Sequence, residues 1–153
     1  MLKDKLKKNQ LTIGSWVTIG HPSIVEVMAT AGFDWLAVDM EHSAIELETA
    51  QNLIAAVQAN EMEALVRVGR NDELLIKRVL DIGADGVIVP MVNTRADAEK
   101  AVASVKYPPL GKRGVGLYRA QKYGAGFDEY RKWLEESSII IAQVEHKDAV
   151  DNI

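Results

Sequence analysis

Short apolar runs alternate with amphipathic helical patterns along this 153-residue chain, and that alternation constrains the fold more than any other feature. A short run followed by a 3.6-residue pattern reads as a βα unit, and successive units build a parallel sheet. Strands are expected at residues 11–19, 35–38, 64–68, 87–89 and 139–144. The first helix of the series opens at His21-Pro22-Ser23, where a proline costs nothing because its missing donor has no partner there anyway. The next, residues 46–59, carries Leu47, Ala50, Leu53, Ile54 and Val57 on one face. Asn71-Asp72 and Asn93-Thr94 cap two more, and residues 127–136 form another.

One repeat is visible. Gly32-Phe33-Asp34 leads through a strand to Asp39-Met40, and Gly83-Ala84-Asp85 leads to Pro90-Met91 at identical spacing. Helix-stop glycine, acidic residue, strand and exit residue recur, as in a barrel assembled from equivalent units. The connection over residues 107–126 is long and glycine-rich, the kind that usually carries function. The expected class is α/β, a TIM (β/α)8 barrel of which this chain holds the first five units. A closed barrel takes about 250 residues. The stretch from Lys147 to Ile153 starts helically without a C-cap, so residues 1–153 are expected to form a single partial domain, truncated at the C-terminus. An open five-stranded sheet is the alternative.

A formal net charge of -4 and a pI near 5.4 argue against a nucleic-acid partner and a polybasic membrane surface. The absence of cysteine removes disulfides and thiolate chemistry and fits a cytoplasmic protein. The basic start, Met1 to Lys8, runs into Asn9-Gln10 and is not a signal peptide. No apolar run reaches the roughly 20 residues of a membrane span.

Parallel α/β proteins place chemistry where strands exit at their carboxyl ends. Asp39-Met40-Glu41-His42 leaves the second strand; Asp39 either orients and tunes the His42 imidazole or simply caps the loop. Arg67 shares a face with Leu65, the interior of a barrel, and needs a carboxylate, a substrate or an anion beside it. Both a structural ion pair and a substrate-carboxylate clamp satisfy that need. Arg70 lies in the exit loop, in solvent. Gln143 and Glu145 share a face at the mouth of the fifth strand, where Glu145 is a metal ligand or a solvated strand end, while His146 points away. Trp16 is core or substrate wall. The loop Gly111 to Gly116 offers backbone donors to an anion but lacks the context of a phosphate loop.

The ordered set resembles a known family. Its members are Gly14-Ser15-Trp16, Ala31-Gly32-Phe33-Asp34-Trp35 with Asp39-Met40-Glu41-His42, and Val66-Arg67. Val89-Pro90-Met91-Val92, Tyr107-Pro108-Pro109 with Arg113-Gly114-Val115-Gly116, and Gln143-Val144-Glu145 follow. Together they resemble the pyruvate-specific class II aldolases of the HpcH/HpaI type, which cleave 2,4-dihydroxyhept-2-ene-1,7-dioate and 2-keto-3-deoxy sugar acids. The resemblance implies a homo-oligomeric (hexameric) barrel and a divalent metal, Mg2+, Mn2+ or Co2+, chelated by the substrate's carboxylate and ketone. It implies Glu145 as a metal ligand, His42 with Asp39 in proton transfer, and Arg67 on the ketone oxygen as it becomes an enolate. Gln143 and Trp16 line the pocket for the 2-ketoacid, and a second metal-binding aspartate is expected from the strand after Ile153. No Schiff-base lysine is required. The rival readings are a related lyase acting on an acyl thioester or dicarboxylic acid, and a non-catalytic half-barrel that serves assembly.

Overall fold

The computed structural model describes residues 1–152. After a short helix α1 (Leu2–Lys7), strands β1 (Gly14–Val17), β2 (Trp35–Asp39), β3 (Glu63–Arg67), β4 (Gly86–Val89) and β5 (Ile139–Ala142) form one parallel sheet in sequential order. Helices α2 (Pro22–Ala29), α3 (Leu47–Ala59), α4 (Glu73–Asp81) and α5 (Arg95–Val105) join consecutive strands; a 3-10 segment (Arg119–Gly124) and α6 (Phe127–Glu136) follow before β5, and α7 (Lys147–Asp151) after it. Ile153 lies outside the described residues, so the helical start expected at Lys147 is followed as far as α7.

The two faces of the sheet bury different partners. Leu36, Val38, Ala64, Val66, Val87 and Val89 pack against the connecting helices through Val25, Leu53, Ile54, Ile76, Val79 and Leu134. The alternate positions Ala37, Leu65, Ile88 and Ile139 form a second cluster that Leu2 of α1 closes. The Leu2 backbone N–H donates to Glu63 Oε1 (3.1 Å) and Lys3 Nζ to the Ser138 carbonyl (2.9 Å), so α1 seals the amino-terminal end of this inner face. Parallel strands buried on both faces read as continuous apolar runs, which is why the strands stood out in the sequence.

The repeat has a mechanical meaning. Asp34 and Asp85 each sit just before a strand and accept a backbone N–H at the start of the preceding one, of Ile13, which leads into β1, and of Ala64 in β3 (both 2.8 Å). Each also joins both neighbouring strands through its own main chain. Gly32 and Gly83, at φ +74° and +105°, make the left-handed turn that sets these aspartates up.

Boundaries differ where strands lose partners. The first strand is shorter than the expected 11–19: Leu11 (83% exposed) and Ile19 (58% exposed) lie beyond the β1–β2 pairing, which covers Gly14 to Val17. The long connection is anchored from within. Arg113 is fully buried, donating to Asp81 Oδ1 (2.6 Å) and the Tyr130 hydroxyl (2.9 Å), with its guanidinium 5.0 Å from the Tyr107 ring centroid. The arginine of the glycine-rich loop is turned into the core, where Asp81, the Tyr130 hydroxyl and two tyrosine rings hold it, and its Nε has no hydrogen-bond partner.

Burial pushes the Asp85 carboxyl up to about 6, against the pull of the Ala64 and Gln58 hydrogen bonds. The folded state therefore holds a proton that the unfolded chain has released, and stability falls as pH rises from about 4 through 6. Asp85→Asn removes the buried charge and keeps an acceptor for Ala64. In urea unfolding of the intact protein, its stability relative to the parent should improve between pH 4 and 7 by about 2 kcal/mol. A difference that does not change with pH would contradict this.

Candidate active site

The residues singled out by sequence gather at the carboxyl ends of β1, β2, β3 and β5. Asp39 and Arg67 are register partners on adjacent strands, and their side chains meet on the inner face. Arg67 Nε donates to Asp39 Oδ1 (3.0 Å) and Nη2 to Oδ2 (2.6 Å), a two-point fork with both side chains largely sheltered. The Trp16 ring covers the guanidinium at 4.4 Å from its centroid, while the tryptophan itself stays 45% exposed. Trp16 is thus not a buried core residue.

Asp39 also organises the loop that leaves β2. Its Oδ1 accepts the backbone N–H groups of Glu41 (3.0 Å) and His42 (3.1 Å), and the Ser43 hydroxyl donates to its carbonyl. The expected Asp39–His42 dyad is corrected here. The carboxylate is already used by Arg67 and two main-chain donors, and the exposed imidazole lies instead nearest Glu41, with Nε2 3.8 Å from Oε2. Burial pushes the Asp39 carboxyl up, but the Arg67 fork and the His42 and Glu41 N–H groups outweigh it and hold it below the ordinary carboxylate value. Arg67 is raised by its hydrogen bond to Asp39, against burial, and further by the charges of Asp39, Glu41 and Glu145.

Glu41 was not singled out beforehand, although its position two residues from Asp39 was a usable signal. Its Oε2 is shielded from solvent, has no hydrogen-bond partner, and lies 3.4 Å from Arg67 Nε. On β5, Gln143 Nε2 donates to Glu145 Oε2 (2.6 Å) and the Met91 N–H donates to Oε1 (2.8 Å). Arg70 is solvated, as expected. His146 caps α7 by accepting the Asp148 N–H, so it is a structural residue.

Glu145, at the carboxyl end of β5, is a carboxylate here that could hold a divalent ion. Among the described residues no group of three or more His, Asp or Glu side chains converges on a point that would hold a metal. Magnesium and manganese often use one or two protein carboxylates with water and substrate oxygens, so Glu145 fits as a single ligand of such a site.

Comparison with known proteins decides the family. The sequence pattern of the HpcH/HpaI aldolase/citrate lyase family matches residues 12–153. The chain belongs to this family. It is 39% identical over 149 residues to the 2-dehydro-3,6-dideoxy-6-sulfogluconate aldolase of Pseudomonas putida, covering 97% of this chain and 58% of that protein. It is 39% identical over 155 residues to the 4-hydroxy-2-oxovalerate aldolase of Novosphingobium aromaticivorans, covering 99% and 58%. The crystal structure of an HpcH/HpaI aldolase from Desulfitobacterium hafniense DCB-2 superposes with a TM-score of 0.87 at 32% identity, over 99% of this chain and 59% of that one. The chain thus spans somewhat over half the length of these family members. In the described residues no helix is long and apolar enough to cross a membrane.

Removing one partner of a sheltered ion pair strands the other charge. Asp39→Asn should therefore cost about 3 kcal/mol at pH 7, measured by urea unfolding. Because the folded carboxyl is held below its unfolded value, this contribution is present above the ordinary carboxylate pKa and fades as pH falls through the depressed one. Parent and variant should thus converge in acid. A constant gap down to low pH would contradict the pairing as the source.

Proposed function

We propose that the intact protein is a metal-assisted carbon–carbon lyase that cleaves a 4-hydroxy-2-ketoacid to pyruvate and an aldehyde. The observation that carries this reading is a guanidinium pinned at the mouth of the parallel strands, within electrostatic reach of the Glu145 carboxylate. The substrates named for the two aldolase relatives share a carboxylate, an adjacent ketone, a methylene and a hydroxyl on the next carbon. They differ beyond that hydroxyl. The shared half is the part a fixed site recognises.

Cleavage needs a proton taken from the 4-hydroxyl and a place for the electron pair of the broken C3–C4 bond. That pair passes through C3 to the ketone oxygen, and protonation at C3 then yields pyruvate. Arg67 is charged, oriented by Asp39 and covered by Trp16, so it meets the growing enolate charge without reorganising. His42, exposed at the rim beside Glu41, takes the hydroxyl proton; Asp39 acts through Arg67 and the loop rather than on the imidazole. Gln143 and Trp16 border the substrate. A divalent ion such as magnesium, manganese or cobalt would supply Lewis-acid stabilisation of the negative charge that develops on the substrate. Glu145 would hold such an ion from this chain, with water and substrate oxygens completing its shell. Assembly into a homo-oligomer and a cytoplasmic setting belong to the same proposal.

With manganese, the intact protein should release pyruvate from 4-hydroxy-2-oxovalerate, followed by coupling to lactate dehydrogenase. A chelator should abolish turnover, and borohydride should trap no adduct. His42→Ala should lose about 100-fold or more in kcat, the range of general-base catalysis, while still binding pyruvate. Unchanged turnover in that variant would remove His42 from the mechanism.

A further inference from the structure

One hydrogen bond that differs between the two halves of the repeat lies against Glu145. Met40 and Met91 occupy equivalent positions, each just past its strand. The Met40 N–H donates to the Arg67 carbonyl (3.0 Å), extending the ladder from β2 to β3. By the same register the Met91 N–H belongs on the Gln143 carbonyl of β5. It is not there. Val92, one residue later, makes that bond at 3.3 Å. Met91 is an extra residue in left-handed backbone (φ +53°), and its freed N–H points at Glu145 Oε1, 2.8 Å away. This is a one-residue bulge, a device that re-aims groups beside active sites.

We infer that Met91 is a positioning residue for Glu145: its left-handed backbone takes an N–H out of the sheet ladder and uses it to orient the carboxylate. With Gln143 Nε2 on the other oxygen (2.6 Å), Glu145 is held at both ends. An ionised carboxylate has about four acceptor sites, so each oxygen keeps one for a ligand. Carboxylates that bind metals are commonly oriented by such hydrogen bonds, and losing one typically costs 10–100-fold in affinity or activity. The backbone does the orienting, so conformational preference at position 91 should matter more than side-chain chemistry. Asparagine tolerates the left-handed region, whereas a β-branched residue resists it.

The metal arm of the test rests on the proposed reading of Glu145 as a metal ligand, and the exchange arm does not. Manganese(II) binding by the intact protein, read by electron paramagnetic resonance, is compared for Met91→Asn and Met91→Val, with melting temperatures to show that both are folded. Met91→Val should bind about tenfold or more weakly than Met91→Asn. Equal affinities would overturn the inference. Independently, amide hydrogen exchange at Met91 in the parent should be slow and should accelerate at least tenfold in Glu145→Ala. An unchanged rate would overturn it whatever the metal does. If the parent binds no manganese but the exchange result holds, the positioning contact stands and the metal reading falls.

Discussion

A guanidinium set into the apolar inner wall of a parallel sheet has to be neutralised where it stands, because little water reaches it. Arg67 meets this requirement through the residue directly across the ladder, Asp39, and the rest of the mouth follows from that pairing. Once both oxygens of Asp39 are committed, its remaining acceptor capacity turns the chain back at Glu41 and His42. The turn brings Glu41 towards the same arginine and leaves the His42 ring at the rim, in solvent. Trp16 covers the guanidinium from β1. One charge on β3 thus sets the positions of residues drawn from two other strands.

The molecule uses aspartate differently at its two ends. At the amino-terminal ends of the strands, Asp34 and Asp85 clamp strand starts together through backbone donors. At the carboxyl ends, Asp39 holds a cation that faces the mouth. The same side chain is a girder at one end and a counterion at the other, and only surroundings distinguish them.

Much of the fold was legible because period and punctuation agree. The helix expected at 127–136 is α6 over the same residues, and the caps expected at Asp72 and Thr94 both accept hydrogen bonds from the first turn. Strand ends were less legible. The β1 boundary depends on where its neighbour stops, and β5 stops at Ala142, opposite the end of β4 at Val89, just before the Met91 bulge, a feature no apolar pattern encodes. The placement of Arg67 followed from alternation. Its choice of Asp39 did not, because register between strands is a long-range property. Spacing along the chain suggested Asp39 with His42, yet the cross-strand arginine is the stronger charge and the better geometric match. The burial of Arg113 was not legible, for a similar reason. A glycine-flanked arginine looks like a ligand loop until tertiary structure supplies two tyrosines and an aspartate to bury it.

The seal provided by α1 also has a consequence in time. Leu2 and Lys3 are synthesised well before the surfaces they dock on, which include Ile139 and Ser138, more than a hundred residues further along the chain. Closing so long a loop is entropically costly until the intervening strands have shortened the path. Helix α1 is therefore made long before it can find its place. Until β5 arrives, the apolar inner face stays open at its base, and the nascent chain passes through an interval in which that surface needs shelter.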